Sequence, residues 1–259
     1  MIQTEPKTKY QAPALEKGLD ILEYLSSQSV PVSQTEIAGS LNKSSNEIYR
    51  MLVCLEDRGY IIRDQISSKY KLSLKLYHLS HQNSPVDELR NAAIYLMEEL
   101  SNEVREACHL SIIYQDKVMV ILHARSPEPI ALSIEEGNLF PVALTASGKV
   151  LIAYMKAEQA KVLLKKDPDY KNFTALQKEN FDNTILDIRK KGYFLKESDF
   201  ANGIVDITVP VGDEKTGVNA CLTISRLHTK SGVVKEKDDE IIKAMQKYAL
   251  KIQKKIGLI

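Results

Sequence analysis

The chain has 259 residues, 44% of them hydrophobic and 27% charged, with 35 lysines and arginines against 34 aspartates and glutamates. That balance supplies enough apolar material for one large or two ordinary domains, and it excludes a disordered chain or a uniformly basic nucleic-acid coat. No apolar run approaches the roughly 20 residues a membrane-spanning helix needs, and the polar first 13 residues lack the apolar stretch of a secretory leader.

Residues 1–13 read as a frayed arm. From Ala14 to Ser27, Leu15, Leu19, Ile21, Leu22 and Leu25 recur at helical spacing. Two S-x-x-E signals follow, Ser33-Gln34-Thr35-Glu36 and Ser44-Ser45-Asn46-Glu47. In each, the serine oxygen can accept from the amide three residues on, while the glutamate reaches back to the serine amide. The first opens a helix of about two turns; the second opens a longer one carrying Ile48, Met51, Leu52 and Leu55, which Gly59 ends. Tyr60–Arg63 and Lys69–Leu72, joined by the polar segment Asp64–Ser68, form a predicted hairpin. Leu72, Leu76 and Leu79 suggest a short connecting helix. His81–Pro85 interrupts the pattern and divides the chain into expected domains 1–83 and 84–259.

Beyond that break, the spacing predicts a helix from Val86 to about Val104, then strands His109–Tyr114 and Val118–His123. Further helices are expected over Ala146–Met155, about Asn180–Lys190 and Lys237–Lys255, and strands over Ile204–Val211 and Val218–Ser225. The order helix, short helix, long helix, hairpin is that of a winged helix-turn-helix, so the expected fold is α+β in two domains.

A helix-turn-helix reads DNA by laying its second helix in the major groove. Here that end exposes Ser44, Ser45, Asn46, Tyr49 and Arg50, with Asn and Arg suited to bidentate base contacts. Ser33, Gln34 and Thr35 at the first box, and Arg63, Lys69 and Lys71 on the hairpin, are candidates for DNA contact around it. Residues 1–83 hold 10 basic and 9 acidic side chains, so charge alone does not favour DNA over a solvated bundle. Two capping boxes in tandem ahead of a wing do. Glu47 is assigned to capping.

At this point the chain resembles the isocitrate-lyase-regulator (IclR) family of bacterial transcription factors. The carrying segments are ALEKGLDILEYL, TEIAGSLNKSSNEIYRMLVCLEDRGYI and KYKLSLKLYHLS, then FPVALTASGKVLIAYM and KKGYFLKESDFANGIVDITVPVGDEKTGVNACLTIS, together spanning about residues 14–257. Asn46-Glu47 stands where a Ser-Thr pair is common, and Ser73 where glycine is usual. The resemblance implies a C-terminal GAF-like α/β effector domain with an antiparallel sheet. It also implies dimers or pairs of dimers on a palindromic double-stranded operator.

Catalysis finds little support. The five histidines show no metal-binding spacing, no G-x-S-x-G elbow exists, and Gly148-Lys149 is no phosphate loop. Cys54, Cys108 and Cys221 lie far apart with no C-x-x-C pair, which argues against a disulfide framework or thiolate metal site and fits the reducing cytoplasm. The rivals are a cytosolic metabolic enzyme with a nucleic-acid-binding appendage, for which Cys108 or Cys221 could pair with His109 or His123, and a cysteine-based redox or metal sensor. No cofactor is expected.

A ligand pocket is the better reading. Thr145 can cap a helix whose first amides, at Ala146, Ser147 and Gly148, are free donors at the positive end of the helix dipole, either for an anion or as a plain helix start packed under a loop. Cys221, Thr223 and Ser225 alternate with Leu222 and Ile224, and Asp206 and Thr208 with Ile207 and Val209, so the polar faces either line a cavity or meet solvent. By resemblance, this face and the helix start hold small carboxylates, which puts Ala146, Ser147, Asp206, Thr223 and Ser225 in the site. Lys196, Glu197 and Asp199 are rim candidates or a solvated loop. The functional expectation is a repressor whose operator affinity is set by a small organic or sugar acid.

Overall fold

The computed structural model describes residues 12–80, 85–212, 220–227 and 234–258. The expected arm up to residue 11 and the break at 81–84 lie outside them. The chain divides into two compact units, Met1–Ser84 and Pro85–Ile259.

The first unit runs α1 (Pro13–Ser26), α2 (Gln34–Ser40), α3 (Ser45–Asp57), β1 (Ile61–Arg63), β2 (Tyr70–Leu72) and α4 (Lys75–Ser80). Both capping boxes form: Ser33 accepts from the Glu36 amide and Ser44 from the Glu47 amide, and each glutamate accepts from its cap amide. Gly59 follows the α3 cap with φ +73°, a left-handed conformation that glycine adopts without strain. The hairpin pairs Ile62 with Lys71 in an antiparallel register. Ile21, Leu25, Ile37, Ile48, Leu52, Ile61 and Tyr70 fill the core. Leu15 and Leu19 are exposed at 62% and 48%, so the inward stripe of α1 occupies only its C-terminal half.

The Ser44 cap bears directly on the position of α3. Ser44→Ala is expected to cost about 0.5–2 kcal/mol, and Ser45→Ala less, because Ser45 makes no cap bond. Thermal melting of the two variants checks this; equal shifts would move the helix start by a residue.

The second unit is one six-stranded antiparallel sheet with helices on both faces. Its elements are α5 (Pro85–Val104), β3 (Cys108–Tyr114), β4 (Lys117–Ala124), β5 (Leu139–Pro141), α6 (Ala146–Ala153), α7 (Ala157–Lys166), α8 (Pro168–Asn172), α9 (Ala175–Lys191), β6 (Phe194–Glu197), β7 (Ile204–Val211), β8 (Ala220–Leu227) and α10 (Val234–Lys255). The strand order is β5-β4-β3-β8-β7-β6. Strand alternation sorts the side chains into two cores. Leu110, Ile207, Leu222 and Ile224 pack with Met97 of α5 and Met245 and Ile252 of α10. Cys221 and Phe194 pack on the other side with Val150 and Leu151 of α6 and Phe181 and Ile188 of α9. The elements α7, α8, β5 and β6 add to those expected from apolar spacing, and α9 starts at Ala175, five residues before the expected Asn180.

Candidate DNA-binding face and ligand cavity

The start of α3 is open to solvent: Ser44, Ser45, Asn46, Glu47, Tyr49 and Arg50 are all exposed, while Ile48 points into the core. Glu47 is held by Lys17 of α1 at 2.7 Å and by Ser44, and those contacts push its carboxyl down to about 2. It is therefore an anion tied to α1 and to the cap rather than one free to meet phosphate. Gln34 donates its amide to the Ser45 carbonyl at 2.9 Å, so this candidate joins α2 to the start of α3. Thr35 is exposed and Ser33 is spent on its cap. On the wing, Arg63 and Lys71 are exposed and Lys69 is half-buried. The wing turn is braced by Asp64, which accepts from the Ser67 amide and hydroxyl at 2.7 Å each.

In the second unit, the polar sheet face is largely covered: Asp206, Thr208 and Thr223 are buried and Ser225 is half-buried. It forms one wall of a cavity of about 280 Å³. Thr145, Ala146 and Ser147 at the start of α6 form another wall, and Leu132, Ile134 and Phe200 cover it. Phe200 meets Phe140 edge-on with ring centroids 5.5 Å apart. That volume suits a small metabolite.

Of the predicted pocket residues, Ala146, Ser147, Asp206, Thr223 and Ser225 are brought together in the wall. Their hydroxyls are linked: Ser147 Oγ lies 2.9 Å from Thr223 Oγ1, which lies 3.0 Å from Thr208 Oγ1. Ser225 donates to Asp206 at 2.6 Å. Two predicted residues do not line the cavity. Gly148 gives its amide to the Thr145 cap at 3.2 Å, so it is no free donor, and it packs against the Val142 backbone. Cys221 sits under α6, its thiol against the Ser147 carbonyl at 3.7 Å. The amides of Ala146 and Ser147 remain, with no acceptor among the described residues.

The rim candidates are also placed differently. Lys196 and Asp199 line a neighbouring hollow on the α9 side, where Asp199 pairs with the buried Lys149. The loop residues that do reach the cavity are Ser198, Phe200 and Ala201. His109 and Ser111, which the sequence reading left out, line the wall from β3. The alternation argument used for β8 would have found them, because both oppose Cys108 and Leu110.

Burial pushes the Cys108 and Cys221 thiols up to about 12 and the His109 imidazole down to about 3, the latter helped by His123. Cys108 and Cys221 are therefore held as protonated thiols inside the fold, while Cys54 is exposed. Among the described residues no cluster of histidine, cysteine and acidic side chains forms a metal site, and no helix is long and apolar enough to cross a membrane.

A winged helix-turn-helix unit carried with an α/β unit that holds a metabolite-sized cavity is the arrangement of a DNA-binding transcriptional regulator. Residues 14–65 match the IclR helix-turn-helix domain, and residues 81–254 match the bacterial transcriptional regulator IclR C-terminal domain. The chain belongs to the IclR family. It is 31% identical to the HTH-type transcriptional regulator KdgR of Escherichia coli, over 74% of this chain and 73% of that one. It is 26% identical to the glycerol operon regulatory protein of Streptomyces coelicolor, over 78% and 80% of the two chains. In fold it is similar to an IclR homolog of Microbacterium hydrocarbonoxydans complexed with 4-hydroxybenzoate, with a TM-score of 0.78, 19% identity and coverage of 95% and 100%. It is likewise similar to the Thermotoga maritima IclR, with a TM-score of 0.71, 24% identity and coverage of 94% and 98%. The protein is a DNA-binding transcriptional regulator and not an enzyme.

Proposed function

We propose that this protein is a cytoplasmic repressor that binds a palindromic operator as a dimer or a dimer of dimers, and that a small organic or sugar acid in the cavity sets its operator affinity. The observation that carries the reading is the α6 start: two amides without acceptors among the described residues, at the positive end of a helix, open into the cavity. A carboxylate satisfies both without any cationic side chain. The solved IclR homolog holding 4-hydroxybenzoate, itself a small acid, supports that ligand class. A single winged unit with nearly balanced charge binds DNA weakly, and two copies on two half-sites supply what one lacks. The acid acts by binding one arrangement of the regulator better than the other, which shifts operator affinity by the difference.

Three variants test the two halves of this reading. Arg50→Ala should weaken operator binding by about 1–3 kcal/mol while Lys71→Ala weakens all sequences alike and lowers the salt dependence. Ser147→Leu fills the cavity at the helix start, so the variant should still bind its operator but lose its response to the acid. Band-shift titrations with and without candidate acids read both. A Ser147→Leu protein that still responds would place the effector elsewhere.

A further inference from the structure

The cavity has a second polar pole, whose role rests on the cavity being the effector site. Asp206 is only 7% exposed and lies in the wall. One of its carboxylate oxygens accepts from Ser225; the other has no hydrogen-bond partner among the described residues. Lys196, its cross-strand partner on β6, turns its ammonium to Thr184 Oγ1 at 3.2 Å instead. Among the described residues no lysine or arginine lines the cavity. A carboxylate withdrawn from water without a cation is costly unless hydrogen-bond donors complete its shell.

The neighbouring groups want partners of the same kind. Through the register His109–Thr223 and Asp206–Ser225, the imidazole, the hydroxyls and the carboxylate share one patch of the sheet face. His109 is neutral because of its burial, so it presents one donor and one acceptor and no charge. Further along β3, Ser111 Oγ is buried with no hydrogen-bond partner, and a buried hydroxyl left in that state costs stability. An alkyl chain answers none of these groups. A row of ligand hydroxyls, each both donor and acceptor, answers all of them.

We propose that Asp206 and Ser225, with His109 beside them, form a hydroxyl-reading pole, so that the cavity selects polyhydroxylated acids over unsubstituted acids of the same length. The acid group sits at the α6 amides and the hydroxylated tail lies across the sheet face towards β7.

Titration calorimetry on the full chain tests this, using five- and six-carbon aldonic acids against pentanoate and hexanoate. Wild type should prefer an aldonic acid by roughly tenfold or more, since a site built for hydroxyls leaves its own groups unpaired with the plain acid. Asp206→Asn, which keeps the shape and removes the charge, should cut that preference several-fold. Ser225→Ala should move the preference in the same direction, and serves if Asp206→Asn does not fold. Plain acids that bind wild type as well as the aldonic acids do, with no change in either variant, would overturn the hydroxyl-reading pole and leave the acid-binding cavity standing. No binding of either class to wild type would overturn both.

Discussion

Gly148→Ala is expected to destabilise the second unit by about 3 kcal/mol or more, the upper range for overpacking, because the added methyl has nowhere to go. A Cβ at this position would lie 2.0 Å from the Val142 carbonyl oxygen and under 3 Å from the Val142 carbonyl carbon and Cα. Those are backbone atoms, and they are fastened. The Val142 and Ala143 amides both donate to the buried Asp167 carboxylate at 3.2 Å, and Asp167 also caps α8 through the Tyr170 amide at 2.9 Å. Neither α6 nor the segment before it can yield without breaking that junction. The surviving protein should also bind acids poorly, since the Ala146 and Ser147 amides move with α6. Gly18→Ala in α1 is the control: nothing lies within 4 Å of its Cβ, and helix propensity alone should stabilise by up to about 1 kcal/mol. Denaturant titration of both variants decides the matter. A Gly148→Ala protein as stable as wild type would show that the close approach of α6 to Val142 is not required.

The second large effect concerns acid. His109 holds its proton with a pKa of about 3 in the folded chain, against an ordinary value of 6.5, because burial penalises the imidazolium. Below pH 6.5 the unfolded chain takes up a proton that the folded one does not, so folding stability must fall as the pH falls. The contribution is fully present above pH 6.5 and is lost progressively down to about pH 3, with a limiting slope of about 1.4 kcal/mol per pH unit. At pH 4.5 the loss from this group is about 3 kcal/mol. His109→Gln should remove that slope while carboxylates elsewhere titrate as before. Urea titrations of wild type and variant between pH 4.5 and 8 measure the difference, and parallel curves would show that His109 protonates freely in the fold.

The elements that were legible in the sequence are those whose cause is local. The boxes at Ser33–Glu36 and Ser44–Glu47 announce helix starts because the atoms that cap them lie within three residues. The same signal stands at Thr174-Ala175-Leu176-Gln177, where it opens α9 and was missed because the apolar spacing there is weak. β5 and β6 are three- and four-residue edge strands with few buried side chains, and their identity comes from pairing with β4 and β7 rather than from pattern. The cavity was legible in part. Alternation placed Asp206, Thr223 and Ser225 on one face, but which of that face α6 covers is a matter of helix placement. That is why Cys221, on the same face as Thr223, is packing and not wall. The hold of Asp167 on the Val142 and Ala143 amides is not legible in the sequence, since those amides lie more than 20 residues away.

The two cores on opposite faces of the sheet have a consequence for how such a protein changes over generations. The α5–α10 face is closed by side chains that never touch the cavity, including Met97, Leu110, Leu222 and Met245. Substitutions in the cavity wall therefore draw on only one of the two reserves of stability, and the other holds the sheet in register while they accumulate. A descendant can exchange Asp206, His109 or Ser111 for residues suited to a different metabolite and keep the same scaffold. Drift at Leu222 or Met97 has no such freedom, because there a changed side chain alters the fold and gains no new ligand.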